Sequence, residues 1–105
     1  MLKKKFQNKI AITGSEGLIG KSIYHLLNSL NYNLIKIDKL EKIDISKKII
    51  ADFLDHHNPK TIIHCAAHPG GLSNKFPFED VKTNCLGSIN IINWCKKNRA
   101  KLIFT

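Results

Sequence analysis

Eight residues, Thr13-Gly14-Ser15-Glu16-Gly17-Leu18-Ile19-Gly20, have the types and spacing to hold a phosphorylated ligand. Glycines recur every third position, after the apolar run Ile10-Ala11-Ile12 and before an amphipathic run. That context is strand, tight turn, helix. Gly14 can take positive φ and end the strand abruptly, Gly17 lets a pyrophosphate approach the backbone, and Gly20 lets the helix pack closely on the strand. The free N–H groups of the helix start then face the anion. A dinucleotide turn of the G-x-x-G-x-x-G kind is one reading. A nucleoside-triphosphate loop is another, because Gly20-Lys21-Ser22 matches the end of G-x-x-x-x-G-K-[ST]. Its first glycine would fall on Ser15, with Gly14 one residue too early. A glycine turn that holds nothing is the third.

Asp38 weighs on that choice. It closes the apolar run Leu34-Ile35-Lys36-Ile37, eighteen residues after Gly20. In a dinucleotide fold an acidic residue at that place accepts hydrogen bonds from the adenosine ribose hydroxyls. Its charge would repel a 2′-phosphate, which favours NAD. Lys39 beside it weakens the preference, since an ammonium there could pair with such a phosphate and admit NADP. A phosphate-loop protein has no need of Asp38, whereas a plain surface aspartate would also end a strand.

These groups need elements to position them. Strands are expected at 9–13, 33–38, 61–66 and 101–105, and helices at 18–30, 46–57 and 79–97. Ile19, Ile23, Leu26, Leu27 and Leu30 form the apolar stripe of the first helix. Ser46 is a plausible N-cap for the second, which Asn58-Pro59 stops. In the third, Val81, Cys85, Ile89 and Ile92 form the core face, and Leu86 and Trp94 point to a second apolar face that could meet another element or subunit. Only five residues separate Asp38 from Asp44, too few for a parallel crossover. Residues 39–45 should therefore cross the carboxyl ends of the strands. Right-handed crossovers then give a parallel sheet of order 2-1-3-4, with ligands bound where the order reverses. The fold class is α/β, a Rossmann-type three-layer arrangement.

Composition narrows the function. One hundred and five residues make at most one domain, and 43% hydrophobic content suits a globular chain. The net charge is +9, yet Arg99 is the only arginine and the lysines are scattered apart from Lys3-Lys4-Lys5. Sequence-specific nucleic-acid reading favours bidentate arginine, so no specific nucleic-acid partner is expected. Cys65, Cys85 and Cys95 are odd in number and contain no C-x-x-C pair, which suits a reducing compartment. No apolar run is long enough for a signal peptide or a membrane span. A cytoplasmic protein with no membrane partner is expected. His64 and His68 around Cys65 match no zinc spacing, and no metal is expected. The third strand ends in the small residues Cys65-Ala66-Ala67, where a flat ligand could lie against the backbone.

Taken together, Thr13-Gly14-x-x-Gly17-x-x-Gly20, Asp38, Asp44-Ile45, His64-Cys65-Ala66-Ala67 and Asn84-Cys85-Leu86-Gly87-Ser88 resemble, in order, the motifs of extended short-chain dehydrogenases/reductases, the NAD-dependent epimerase/dehydratase proteins of nucleotide-sugar metabolism. The resemblance runs over nearly the whole chain. It implies hydride transfer at a sugar carbon and a nucleotide-sugar substrate for the full enzyme. It also implies that Gly14, Gly17, Leu18 and Ile19 hold the pyrophosphate and that Asp38 holds the ribose. Asp44 and Ile45 would contact the adenine, Cys65, Ala66 and Ala67 would line the cofactor path, and Asn84 would steady the site.

The short connection before Asp44 and the run Ala66-Ala67-x-x-Gly70-Gly71 are similar to nucleotide-sugar reductases, whereas the 84–88 run looks more like the epimerases. The family's chemistry needs a Ser or Thr past the fourth strand and a Tyr-x-x-x-Lys helix. Neither Tyr24 nor Tyr32 starts such a motif. Residues 1–105 are thus expected to be the NAD(P)-binding half of such an enzyme, cut before its catalytic residues and inactive alone, with a homodimer through helix 79–97 in the full protein. A binding or interaction module that kept the fold and lost the chemistry is the alternative.

Overall fold

The computed structural model describes residues 8–66, 78 and 81–105. Four strands form one parallel sheet: β1 (Lys9–Thr13), β2 (Asn33–Ile37), β3 (Thr61–His64) and β4 (Lys101–Phe104). Their spatial order is β2-β1-β3-β4, as the short connection after Asp38 predicts. Helix α1 (Leu18–Ser29) links β1 to β2, α2 (Ile49–His57) links β2 to β3, and α3 (Ser88–Asn98) precedes β4. A π-helical stretch, Val81–Gly87, leads into α3.

Residues 39–45 add no strand. Lys39–Glu41 form a 3-10 turn capped by the Asp38 side chain, and Lys42 turns the chain in the left-handed region at φ 63°. Ile45 then dives into the core at 4% exposure. Asn58 and Arg99 end α2 and α3 in the left-handed region, conformations that a short polar residue such as Asn tolerates better than most.

Strand register sorts the side chains. Ala11 pairs with Ile35 and Ile62, and Thr13 with Ile37 and His64, so these six share one face of the sheet. Ala11, Ile35, Ile37 and Ile62 pack with Ile50 and Leu54 of α2 and Ile91, Trp94 and Cys95 of α3 into the main core. Burying each such Leu or Ile is worth roughly 1.5–3 kcal/mol. The right-handed crossover from β1 to β2 puts α1 on the other face, where Ile12 is fully buried.

Three expectations need correction. Ser46 does not cap α2: its N–H and hydroxyl both donate to Asp44 Oδ1, at 2.9 and 2.7 Å, and Lys48 occupies the cap position with no side-chain bond. Ser46 is spent on a local turn instead. The stripe of α1 is only half used. Ile23 and Leu27 are half-buried, but Ile19, Leu26 and Leu30 are exposed, because α1 is the one helix on its face among the described residues. The inward stripe of α3 runs through Ile91, Trp94 and Cys95, with Cys85, Ile89 and Ile92 facing out. Followed back at helical spacing, that stripe carries Asn84, Gly87 and Ser88, so counting apolar residues alone selects the wrong face.

Candidate functional site

The carboxyl ends of β1, β2 and β3 bring most of the sequence-predicted residues together. Gly14 has φ +68° and donates its N–H to the Ile37 carbonyl at 2.7 Å, tying the glycine turn to β2. A Cβ on Gly14 would stand 2.8 Å from both the N and Cα atoms of Ala66. Only glycine allows this close approach of the β1 turn to the β3 end. The turn closes with Gly17 N–H to the Gly14 carbonyl at 3.0 Å. A Cβ on Gly20 would collide with that same carbonyl, so Gly20 sets how tightly α1 leaves the turn.

The helix start meets the requirements of an anion site. Gly17 occupies the N-cap with no side-chain bond, the first turn holds no acidic residue, and Gly17, Leu18 and Ile19 are exposed. The leading N–H groups of α1 lack partners within the helix and so suit a phosphate. Beside them Ser15 is 1% exposed, and its hydroxyl is without a hydrogen-bond partner among the described residues. An orphaned buried hydroxyl inside the turn, with glycines where side chains would block approach, fits a bound pyrophosphate.

Asp38 lies at the end of β2, half-buried. Its Oδ2 accepts the Glu16 N–H at 3.1 Å and its Oδ1 the Leu40 N–H at 3.0 Å. One carboxylate therefore braces both the glycine turn and the 3-10 turn. A carboxylate has about four acceptor positions, which leaves capacity for two hydroxyls. Glu16 is drawn aside by Lys36, whose Nζ lies 3.5 Å from its carboxylate and 4.7 Å from the Tyr24 ring centre. Lys39 is exposed next to Asp38.

Asp44 is half-buried. Burial works to raise its carboxyl, but the bonds from Ser46 and the charges of Lys39 and Lys47 outweigh that and hold it below the usual carboxylate range. Ile45 points inward. Its side chain fills the space where a Gly87 Cβ would sit, and its carbonyl accepts the Asn90 side-chain N–H at 2.8 Å.

Cys65, Ala66 and Asn84 line a small cleft of about 190 Å3 with His64, Ser88, Phe104 and Thr105. Ala67 lies outside the described residues, as do Gly70 and Gly71. Thr13, His64 and Ser88, which stand in the sequence motifs without a role of their own, hold this corner together. Thr13 Oγ1 accepts the N–H groups of Cys65 and Ala66, both at 3.0 Å, and lies 2.7 Å from His64 Nδ1. His64 Nε2 is 2.9 Å from Ser88 Oγ. The available signal was two polar residues, Thr13 and His64, closing otherwise apolar strands.

Comparisons with known proteins bear on the family. Residues 10–105 match the NAD dependent epimerase/dehydratase family. The chain is 33% identical over 95 residues to the GDP-L-colitose synthase of Yersinia pseudotuberculosis, covering 89% of this chain and 31% of that protein. Among solved structures it is similar to the Thermotoga maritima UDP-glucose 4-epimerase with UDP-glucose, at TM-score 0.84 and 26% identity, over 91% of this chain and 37% of the epimerase. It is also similar to the dTDP-4-dehydrorhamnose reductase of Bacillus anthracis in complex with NADP, at TM-score 0.81 and 27% identity, over 92% and 35%. The chain thus spans about a third of the length of the relatives it matches. Among the described residues no helix is long and apolar enough to cross a membrane. With its glycine turn, its strand order and this match across nearly its whole length, the chain belongs to the NAD-dependent epimerase/dehydratase family.

Proposed function

We propose that this chain is the dinucleotide-binding part of a nucleotide-sugar epimerase, dehydratase or reductase. The observation that carries the reading is the brace from the Asp38 carboxylate to the Glu16 N–H, which joins a ribose acceptor to a pyrophosphate turn. Gly14, Gly17, Leu18, Ile19 and Gly20 form the pyrophosphate seat, and Asp38 takes the ribose hydroxyls. Asp44 reaches the adenine from the surface, backed by the buried Ile45. Cys65, Ala66 and Ala67 border the path of the dinucleotide, and Asn84 flanks it from the helical side. Once bound, NAD or NADP supplies a hydride acceptor or donor for a sugar carbon. A general acid/base has to lie within hydrogen-bond reach of the reacting hydroxyl. We place that group, with the sugar site, outside these 105 residues. The exposed stripe Cys85, Ile89 and Ile92 is the surface through which two copies would pair.

Calorimetric titration of the protein with NAD and NADP tests the cofactor assignment. Asp38→Ala should weaken NAD by about tenfold, the scale of one charge-assisted hydrogen bond. NADP should lose less, because the same change relieves repulsion of its 2′-phosphate. Equal losses, or none, would remove Asp38 from the site.

A further inference from the structure

His64 ends β3 at 3% exposure, with both ring nitrogens engaged. The hydrogen-bond count around Thr13 fixes its state. A hydroxyl has one proton to give and two lone pairs to receive with. Thr13 Oγ1 receives the N–H groups of Cys65 and Ala66, and the Cys65 N–H is shared with the Thr13 carbonyl at 3.2 Å. Both lone pairs are thereby used, and its proton is left for His64 Nδ1. That nitrogen must be the bare acceptor. The ring proton then sits on Nε2 and is donated to Ser88 Oγ.

We propose that His64 is a positioning residue for the dinucleotide site: as the neutral Nε2–H tautomer it orients Thr13 so that the Cys65 and Ala66 amides stay clamped to the glycine turn, and protonation of the ring releases that clamp. The dinucleotide half of this statement rests on the function proposed above; the wiring does not. An imidazolium carries N–H groups on both nitrogens. Thr13 Oγ1 would then face three donors with two lone pairs and would have to loosen its hold; Cys65 keeps the Thr13 carbonyl, so the Ala66 amide is the one that reports the loss. Those amides lie where Ala66 abuts Gly14, 2.8 Å from the position of a Cβ on that glycine, so the loosened seam is the pyrophosphate turn itself.

Among the described residues the surroundings offer a proton no compensation. His64 meets Thr13 from β1, Ser88 from α3 and the Phe104 ring from β4, edge-on at 5.0 Å between centres. Asn84 and Thr105 complete the cleft, and Cys65 is its titratable neighbour in sequence; none of these is acidic. Burial accordingly holds the His64 ring below its ordinary range.

The test has two independent readouts on the protein. Long-range proton–nitrogen spectra of the imidazole should show the Nε2–H tautomer at pH 8; the Nδ1–H tautomer, or a ring charged at neutral pH, would overturn the wiring without any variant. Protection of the Ala66 amide, and the NAD dissociation constant, should then be followed from pH 8 to 5.5. In the wild type, affinity should fall about three- to tenfold, the worth of one hydrogen bond, and amide protection should fall with it. His64→Gln can accept from Thr13 and donate to Ser88 but cannot be protonated, so its profile should be flat. A flat wild-type profile, or a Gln variant that falls in parallel, would refute the positioning role. Failure of NAD and NADP to bind at pH 8 would refute the proposed function instead, and amide protection would still decide the role of His64.

Discussion

The two faces of the sheet are built from alternate residues of the same four strands, yet they are finished differently. On one, α2 and α3 close over Ala11, Ile35, Ile37 and Ile62, all at 8% exposure or less. On the other, α1 covers β1 and β2, while Ile103 of β4 is 43% exposed and Leu26 of α1 and Leu30 at its C-cap look outward. The closed face also holds the buried polar chain from Thr13 through His64 to Ser88. A low-dielectric site strengthens such a network and makes any unpaired member costly. The open face instead carries a partly exposed ion pair and a Lys36–Tyr24 contact, interactions worth little where water reaches them. Stability and site geometry are thus concentrated on the same side, and the glycine turn sits at the rim where that side meets the start of α1.

The largest effect should separate the faces directly. Ile62→Ala removes a fully buried side chain from the main core and should cost about 2–5 kcal/mol. Ile103→Ala, on a strand neighbour, should cost less than about 1 kcal/mol, because its side chain is already wet. Urea unfolding of the two variants side by side measures the difference. Equal losses would mean that the open face is covered in solution.

Acid provides the next test. Burial depresses the His64 ring relative to its ordinary value of about 6.5, so below that value the unfolded chain binds more protons than the folded one. The stability that comes from keeping the ring neutral is complete above pH 6.5 and declines as pH falls from there toward the folded value. Asp44 acts lower down. Its carboxyl is held below the usual range, so its contribution is present above about pH 4 and is lost as pH falls through the folded value. Unfolding followed from pH 8 to 3 should therefore show two declines. His64→Gln should shrink the first, leaving the part that belongs to His57, whose ring burial also holds below its ordinary range, and Asp44→Asn should remove the second; a first decline unchanged by His64→Gln would make the closed face electrostatically plain.

The sheet was legible because its strands are continuous apolar runs and because one short connection, Asp38 to Asp44, permits only one way to grow it. The glycine turn was legible because each glycine meets a different steric demand, seen at Gly14 against Ala66 and at Gly20 against the Gly14 carbonyl. The helical wall of the site was harder to read. Its inward stripe is apolar only from Ile91 onward; before that, Asn84 lines the cleft, Gly87 makes room for Ile45, and Ser88 Oγ lies 2.9 Å from His64 Nε2. Hydrophobic periodicity selects for burial, and here site residues replace the apolar ones over a full turn. Local competition hid a second feature: Ser46 has the side chain of a helix cap, but Asp44 two residues earlier captures it. Half of the α1 stripe failed for another reason: Ile19, Leu26 and Leu30 are apolar and yet exposed, with no second helix on that face among the described residues.

The closed face has an outer side of its own, and the smallest effect is expected there. Cys85, Leu86, Ile89 and Ile92 are exposed along the π-helical stretch and α3, turned away from the core that Ile91, Trp94 and Cys95 enter. Ile89 is 51% exposed, so Ile89→Lys removes little packed surface and adds a charge that water can solvate. Its unfolding free energy should stay within about 0.5 kcal/mol of wild type. The two roles open to this stripe then come apart in one measurement. If two copies pair through it, the substitution places a like charge from each copy in one apolar contact, and sedimentation should shift to monomer with monomer stability unchanged. A dimer that survives Ile89→Lys would place the pairing surface elsewhere, and a loss of several kcal/mol in the monomer would show that this side of α3 is packed, contrary to the exposure on which the comparison of the two layers rests.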